Sequence, residues 1–347
     1  MARIGDSASS AESSLSLAPI PDCPNMALAH PHVRVHTGID EHQSVSSWFR
    51  SLSPEKRAAI RRLHRIRPAY NWTMLGHLLL WAGAGFTMHH VAVWPLRFAG
   101  YVFIGFTLHG LGSLMHEGIH GNLFRKPRYD RCLGFALGAC VFVSAAAYRV
   151  IHVRHHRYNR GDDDPDEITN VVSRPIPLLL ASYAWLVVGT YVYVLLLPWK
   201  AVQHACPRDR RRVLGEYTLL SVAYATLCLC ALRFGFWAGV LHYWVIPSII
   251  TALFANLRSW AEHMHTRPGH PLTQSRTITS NKLLSFLNVN LNYHLEHHLF
   301  PAIPWYNLPK VHQLLQAEYR QAGAFIHASY LRFLYDAVRV GTTGVVR

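Results

Sequence analysis

The chain has 347 residues, of which 50% are hydrophobic and only 15% are charged. That charged share is well below the typical value of about 25% for soluble domains, which argues against a soluble protein. The formal net charge is +15, but the basic residues cluster beside apolar runs, as in membrane-protein loops that meet anionic lipid. We therefore expect a membrane partner and no nucleic acid. None of the six cysteines forms a CxxC pair, which argues against a disulfide framework or a cysteine metal site.

The N-terminal segment differs in composition from the rest of the chain. Residues 1–45 are rich in Ser, Ala and Pro and contain no apolar core of signal-peptide length. We predict that this segment is a flexible cytosolic tail. Residues 46–347 are predicted to form one membrane domain.

A first predicted hairpin leads into a pair of histidines. Thr73–Leu96 and Phe98–Met115 are free of charged residues, and about 20 helical residues cross the hydrocarbon of a bilayer. The short link Trp94-Pro-Leu-Arg97 joins them, and the second run continues into His116-Glu-Gly-Ile-His120. Because residues i and i+4 share one face of a helix, the two imidazoles can reach one metal region together.

A second histidine cluster follows a short apolar run. Leu133–Tyr148 is too short to cross comfortably, and His152-Val-Arg-His155-His156 comes directly after it. Histidines at i, i+3 and i+4 can supply two adjacent metals from a single helical turn. Histidine ligands need an acceptor for the other ring N–H, and we expect Asp162 and Asp163 to orient a histidine or cap a helix. Other candidates for this role are Glu117, Glu262, Glu296 and the rest of the acidic run over residues 162–167.

A second predicted hairpin precedes the third cluster. Val213–Leu232 and Phe234–Leu257 are the predicted spans, and His263 follows just beyond them. The third cluster, His294-Leu-Glu-His297-His298, repeats the spacing of the second. A third cluster with the same helical geometry indicates one shared site.

The run Ile176–Leu197 complicates the topology. It is long enough to cross, but Pro175 and Pro198 bracket it. A crossing here would place the third cluster on the opposite side from the second and would put the basic loop 200–212 outside, against the positive-inside tendency. We therefore predict an interfacial or re-entrant segment. The protein would then be a multi-pass membrane protein with four crossings, and both termini and all clusters would be cytosolic.

The number of imidazoles indicates two metal ions, because a single zinc accepts only about four ligands. Imidazole suits iron, zinc, copper and nickel. Two irons held mainly by nitrogen could activate O₂ and oxidise an unactivated C–H bond. The predicted ligands are His116, His120, His152, His155, His156, His294, His297 and His298, and His263 could join them.

Two other functions compete with this one. His116-Glu-Gly-Ile-His120 matches the H-E-x-x-H signature of zinc proteases, in which the glutamate is a general base. That interpretation leaves the other two clusters unexplained. A metal transporter or receptor would place its ligands in mid-bilayer, whereas these clusters lie beyond the span ends.

The three clusters in this order resemble those of the membrane fatty acid desaturase superfamily. The resemblance extends over Thr73–Leu315 and is closest at Asn292-Tyr-His-Leu-Glu-His-His-Leu-Phe-Pro301. It implies an all-α integral membrane fold, with four transmembrane helices in two hairpins capped by a cytosolic helical dome. It also implies a di-iron site held by the eight histidines, with His263 as the ninth ligand. The implied reaction uses O₂ and two electrons to remove two hydrogens from a lipid acyl chain.

Two details limit what the resemblance implies. The third cluster begins with His294 rather than with the glutamine typical of front-end desaturases. The chain contains no His-Pro-Gly-Gly element of a fused cytochrome domain, so we expect a separate donor, a ferredoxin or a small cytochrome with its reductase. The same clusters serve hydroxylases and ketolases. We predict a lipid desaturase, with a lipid or carotenoid hydroxylase or ketolase as the alternative.

Overall fold

The computed structural model describes residues 41–172 and 174–341, so most of the predicted tail lies outside the described residues. The first helix begins at Glu41. The described chain is mostly helical. In chain order the helices are α1 (Glu41–Ser51), α2 (Pro54–Leu63), α3 (Trp72–His89), α4 (Trp94–Ile119), α5 (Pro127–Ala139), α6 (Ala145–Tyr158), α7 (Pro175–His204), α8 (Pro207–Phe234), α9 (Trp237–Val240), α10 (Ile246–His263), α11 (Lys282–Leu287), α12 (His294–Leu299), α13 (Leu308–Leu314), α14 (Gln316–Ala322) and α15 (Tyr330–Val340).

Within the part of the chain that the structure describes, four helices are long and apolar enough to cross a membrane, which indicates a membrane-embedded protein. A π-helical turn over Leu241–Val245 joins α9 to α10, so these two helices form one continuous apolar rod. This rod, α4, α7 and α8 are the four. The 18-residue α3 is outside that set, although it packs against α4 through Met88 and Tyr101 as the first predicted hairpin requires.

The predicted link of the first hairpin is wrong in position. Helix α3 ends at His89, seven residues before the predicted end at Leu96, and Pro95 lies in the first turn of α4. Proline suits that position because the first N–H groups of a helix have no partner within it. The true turn spans residues 90–93, and Arg97 Nε closes it by donating to Val91 O at 2.6 Å.

Helix α7 corrects part of the predicted topology. It runs unbroken for 30 residues through Pro198, so the expected re-entrant segment is wrong, and its length and composition would allow it to cross. Both of its ends nevertheless lie near the histidine clusters. Ser182 Oγ is 3.8 Å from Met264 Sδ, next to His263, and Lys200 Nζ donates to Pro165 O at 2.7 Å. Between these two contacts, Thr190 N of α7 donates to Asn256 Oδ1 of α10 at 2.6 Å, and the interfacial position stays a prediction.

The short apolar run after the first cluster does not form one helix. Leu133–Tyr148 is divided between α5 and α6 by a turn in which Phe142 has a φ of 61°. The prediction that this run is too short to span is therefore confirmed.

The residues after α10 fold together with α1 and α2. Leu295 and Leu299 of α12 are buried against Ile60 of α2 and Val311 of α13, which supports the third cluster from behind. Two strands, β1 (Arg276–Ile278) and β2 (Phe325–His327), pair in parallel in this region. The predicted all-α fold is wrong in this detail. The two strands could not be predicted, because three residues are too few to show the alternating pattern of a strand.

A buried arginine fastens this region to the apolar helices. Arg276 Nη1 donates to Ala261 O at 2.5 Å and to Met264 O at 2.8 Å, and its guanidinium lies over the ring of Phe333. The last carbonyls of a helix lack partners within it, so this contact completes the end of α10. It fixes the direction in which His263 leaves the helix.

Candidate metal centre

The end of α4 and the helix α6 carry the first two clusters. His116 lies in the last turn of α4, and His120 follows that helix directly. Helix α6 carries the second cluster, and its start is held by Glu216 of α8, which accepts from Ser144 Oγ at 2.8 Å and from Ala146 N at 2.9 Å. This N-terminal cap ties the cluster helix to a membrane helix.

Five of the predicted ligands form a first group around a common point. Their ligand atoms all lie within 4.8 Å of one another. His152 Nε2 is 2.8 Å from His116 Nε2 and 3.0 Å from His156 Nε2, and His156 Nε2 is 3.0 Å from His297 Nε2. The members of this group are His116, His120, His152, His156 and His297.

The other four predicted ligands lie in a second group beside the first. His155, His263 and His298 offer ligand atoms within 4.8 Å of one another, and so do Glu262, His263 and His294. His263 Nε2 and His294 Nε2 are 3.0 Å apart. The rings of His156 and His298 stack with centroids 4.3 Å apart, so the two groups share a boundary.

The chemistry of both groups fits metal ions. Among the described residues, the buried Nε2 atoms of His120 and His298 have no hydrogen-bond partner. Burial holds the pKa of His152, His156 and His297 well below the usual value, so these rings are neutral near pH 7 and each keeps a lone pair. A cation would use lone pairs that otherwise face one another in an interior without water.

Asp164 orients one of the histidines. Its two carboxylate oxygens accept from His155 Nδ1 at 2.9 and 3.0 Å. The acceptor falls within the predicted acidic run, but it is Asp164 rather than Asp163. The side chain of Asp163 is 69% exposed and pairs with Arg154, and Asp162 is also exposed. Asp164 accepts from Asp166 N at 2.9 Å, and this Asx turn around Pro165 directs its carboxylate inward.

Two of the other predicted acceptors also lie beside cluster histidines. Glu262 Oε1 is 3.5 Å from His294 Nδ1 and 3.0 Å from Arg258 Nε. Glu117 Oε1 is 3.7 Å from His116 Nδ1, which is too long for a hydrogen bond. Glu262 Oε1 and His294 Nδ1 form no hydrogen bond with each other, so Glu262 lies beside the second group as the ion-pair partner of Arg258.

Glu296 differs from its predicted role because it contacts no cluster histidine at hydrogen-bond distance. It accepts from His312 Nδ1 at 2.6 Å and from Thr277 Oγ1 at 2.5 Å. These contacts anchor α12 from the side opposite to its ligands. His312 and Thr277 could not be predicted, because each lies outside the clusters and becomes a neighbour only in the folded chain.

The zinc protease interpretation is disfavoured by the position of Glu117. Its Oε2 accepts from Asn122 Nδ2 at 3.1 Å and from Trp305 N at 3.0 Å. A general base has to face metal-bound water, whereas these bonds hold the carboxylate against the backbone of the neighbouring loop.

Apolar helices long enough to cross a bilayer, together with nine converging histidines, define a membrane-embedded protein with a centre that could hold metal. The sequence model of the family described as fatty acid desaturase matches residues 92–330. The chain therefore belongs to the fatty acid desaturase family, and it is an oxidoreductase. The resemblance inferred from the three clusters is confirmed.

Three relatives show where in the family the similarity lies. The human sphingolipid delta(4)-desaturase/C4-monooxygenase DES2 is 30% identical over 290 residues, which cover 82% of this chain and 84% of that protein. The Drosophila melanogaster sphingolipid delta(4)-desaturase DES1 is 25% identical over 301 residues, or 83% of this chain and 87% of that protein. The Rebecca salina acyl-lipid (8-3)-desaturase is 26% identical over 256 residues, or 64% and 59% of the two chains.

Proposed function

We propose that this protein is an O₂-dependent lipid desaturase whose nine histidines hold two irons. The observation that carries the proposal is the convergence of all nine predicted ligands into two adjoining groups. Five nitrogens in one group and four in the other suit two ions better than one. Imidazole is a good ligand for iron, and the family to which the chain belongs performs oxidations of this kind.

The substrate we propose is the long chain of a sphingolipid. Support comes from the relatives named as sphingolipid delta(4)-desaturases, which align over more than four fifths of this chain. The balanced reaction is –CH₂–CH₂– plus O₂, two electrons and two protons, giving –CH=CH– and two waters. The irons would supply O₂ activation and the oxidising power to break the C–H bonds.

The residues of the chain position this chemistry and keep water away from it. His116, His152 and His297 would hold one iron, and His155 and His263 the other, each with the remaining members of its group. All nine rings except those of His120 and His263 are buried. Exclusion of water strengthens every electrostatic contact in the site and prevents side reactions.

A hydroxylase is the second candidate function. The human and mouse relatives carry names that join a delta(4)-desaturase to a C4-monooxygenase. Hydroxylation would use the same site and the same electrons, but one oxygen atom of O₂ would enter the product. The products therefore distinguish the two functions.

The first test is mass spectrometry of lipid extracts from a host that expresses this chain. We expect a sphingolipid product lacking two hydrogens, with the double bond located by fragmentation. The matched control is the His297→Ala variant, which loses a ligand shared by the first group, and it should give no product. A product that gains oxygen would transfer the assignment to a hydroxylase. The parent chain and the His297→Ala variant could also give identical lipids although the parent binds iron and a donor is supplied. That result would contradict both functions.

The proposed orientation places the histidine groups and both termini on the cytosolic side, where a soluble or anchored electron donor can reach them. The start of α8, next to the end of α7, is strongly basic, and Arg208, Arg210 and Arg211 are exposed there. An acidic ferredoxin or small cytochrome would be steered toward this surface.

Charge reversal tests the donor surface. The Arg208→Glu/Arg211→Glu variant should lower kcat/KM for an acidic donor by about tenfold, more strongly at low salt, with iron content unchanged. The matched control is Arg233→Glu at the opposite end of α8, which faces the other side of the membrane in the proposed orientation. An equal loss in both variants would argue against a donor surface between α7 and α8.

A further inference from the structure

An apolar cavity lies on the outer side of the helices, away from the histidine groups. Its volume is about 510 Å³, and its walls include Leu75 and Leu78 of α3 and Leu133 and Leu137 of α5. This volume is within the range of roughly 300–1,000 Å³ common for ligand sites. None of the nine predicted ligands lines it. The cavity is therefore separate from the site proposed for the reaction.

One end of the cavity lies at the level of the polar loops. Pro68 and Phe124 line this end, and they belong to the segments that precede α3 and follow α4. The two segments are joined, because Asn71 Nδ2 donates to Leu123 O at 2.9 Å and the Arg125 guanidinium donates to His64 O. The rim is thus a built feature of the fold rather than two independent loops.

The rim carries an excess of positive charge. Arg67 and Arg125 each adjoin a residue that lines the cavity, and Lys126 follows directly. Within residues 41–172 and 174–341, no carboxylate pairs with any of the exposed cations of these two segments. These cations are Arg61, Arg62, Arg65, Arg67, Arg125, Lys126, Arg128 and Arg131.

Aromatic side chains place this rim at the membrane–water interface. Trp72 is 72% exposed and Tyr129 is 54% exposed, on the two helices that form the cavity walls. Exposed tryptophan and tyrosine are enriched at the level of lipid headgroups. The cavity then extends from headgroup level along α3 toward the hydrocarbon, with cations at one end and leucines at the other.

We propose that this cavity binds a phospholipid with an anionic headgroup, as a site separate from the substrate site. An acyl chain would lie against Leu75 and Leu78, and Arg67, Arg125 and Lys126 would surround the phosphate. A neutral sphingolipid chain would fill the apolar part but would leave these cations without an anionic partner, so charge complementarity selects the anionic lipid. Bound lipid would stabilise the packing of α3 and α5 by mass action.

Native mass spectrometry of the purified full chain, titrated with defined lipids, tests the proposal. Phosphatidylglycerol should bind at least tenfold more tightly than phosphatidylcholine with the same acyl chains. The Arg67→Gln/Lys126→Gln variant should reduce this preference to near unity, while iron content stays unchanged. The Leu75→Trp variant should fill the cavity and weaken the binding of both lipids.

The matched control is Arg208→Gln/Arg211→Gln, which removes two exposed cations that do not line this cavity. It should leave the preference for phosphatidylglycerol intact. Equal binding of the two lipids, or an equal loss in the control variant, would overturn the anionic site. Undiminished binding by Leu75→Trp would overturn the role of the cavity. Competitive displacement by a neutral sphingolipid would show that this is the substrate site instead.

Discussion

The His156→Ala variant is expected to lose all measurable desaturase activity and to retain one iron or less, compared with about two in the parent protein. The Nε2 atom of His156 is 3.0 Å from those of both His152 and His297, and its ring stacks on His298 of the second group. Removal of this ring therefore disturbs both groups at their shared boundary. Iron analysis by plasma mass spectrometry, together with the lipid product assay, measures the effect.

The control for this prediction is His90→Ala. His90 is an exposed histidine just after α3, in the turn that leads into the start of α4, whereas the clusters lie beyond the other end of α4. Its replacement should change neither iron content nor product yield. A His156→Ala protein with full iron and normal activity would show that the converging histidines are not the ligands of the reactive centre.

The Asp164→Asn variant is expected to weaken metal binding in the second group by about 10–100-fold, the usual effect of removing an acceptor behind a histidine ligand. The amide keeps the shape of the side chain and can still accept from Asp166 N, but it removes the charge that faces His155 Nδ1. The change therefore acts on the ligand more than on the loop. Iron retention during dialysis against a graded chelator measures the affinity of the weaker site.

Asp163→Asn is the matched control for this variant. The two residues are neighbours and undergo the same chemical change, but the side chain of Asp163 is 69% exposed and its ion pair with Arg154 is 3.7 Å long. We expect iron retention equal to that of the parent. If both variants lost iron to the same extent, the total charge of the loop would matter rather than the contact with His155.

The convergence of the histidines could be predicted from the sequence because it is encoded by local spacing. In the second cluster, His152, His155 and His156 lie within one helical turn, and a helix fixes where such side chains point. Their acceptors could not be predicted in the same way. Asp164 points inward because of an Asx turn, and a run of acidic residues alone does not show which member will do so.

The membrane topology was only partly predictable from composition. Hydropathy identifies apolar length, and α7 has enough of it, yet the contacts of Ser182 and Lys200 place both ends of this helix near the clusters. Position in a bilayer depends on such tertiary contacts, which hydropathy does not contain. The β1–β2 pair also depends on contacts distant in sequence, since Arg276 pairs with Phe325.

The order in which the ligands occur along the chain has a consequence for biosynthesis. The first five ligands are complete by His156, but His263 and the third cluster lie beyond the α8–α10 hairpin, in the last quarter of the chain. If the centre binds iron as proposed, a nascent chain without them would expose only a partial set of imidazoles and would bind iron more weakly than the finished centre. Iron would therefore enter after the last hairpin has been inserted. Bound metal would then cross-link distant segments and mark a completely assembled molecule.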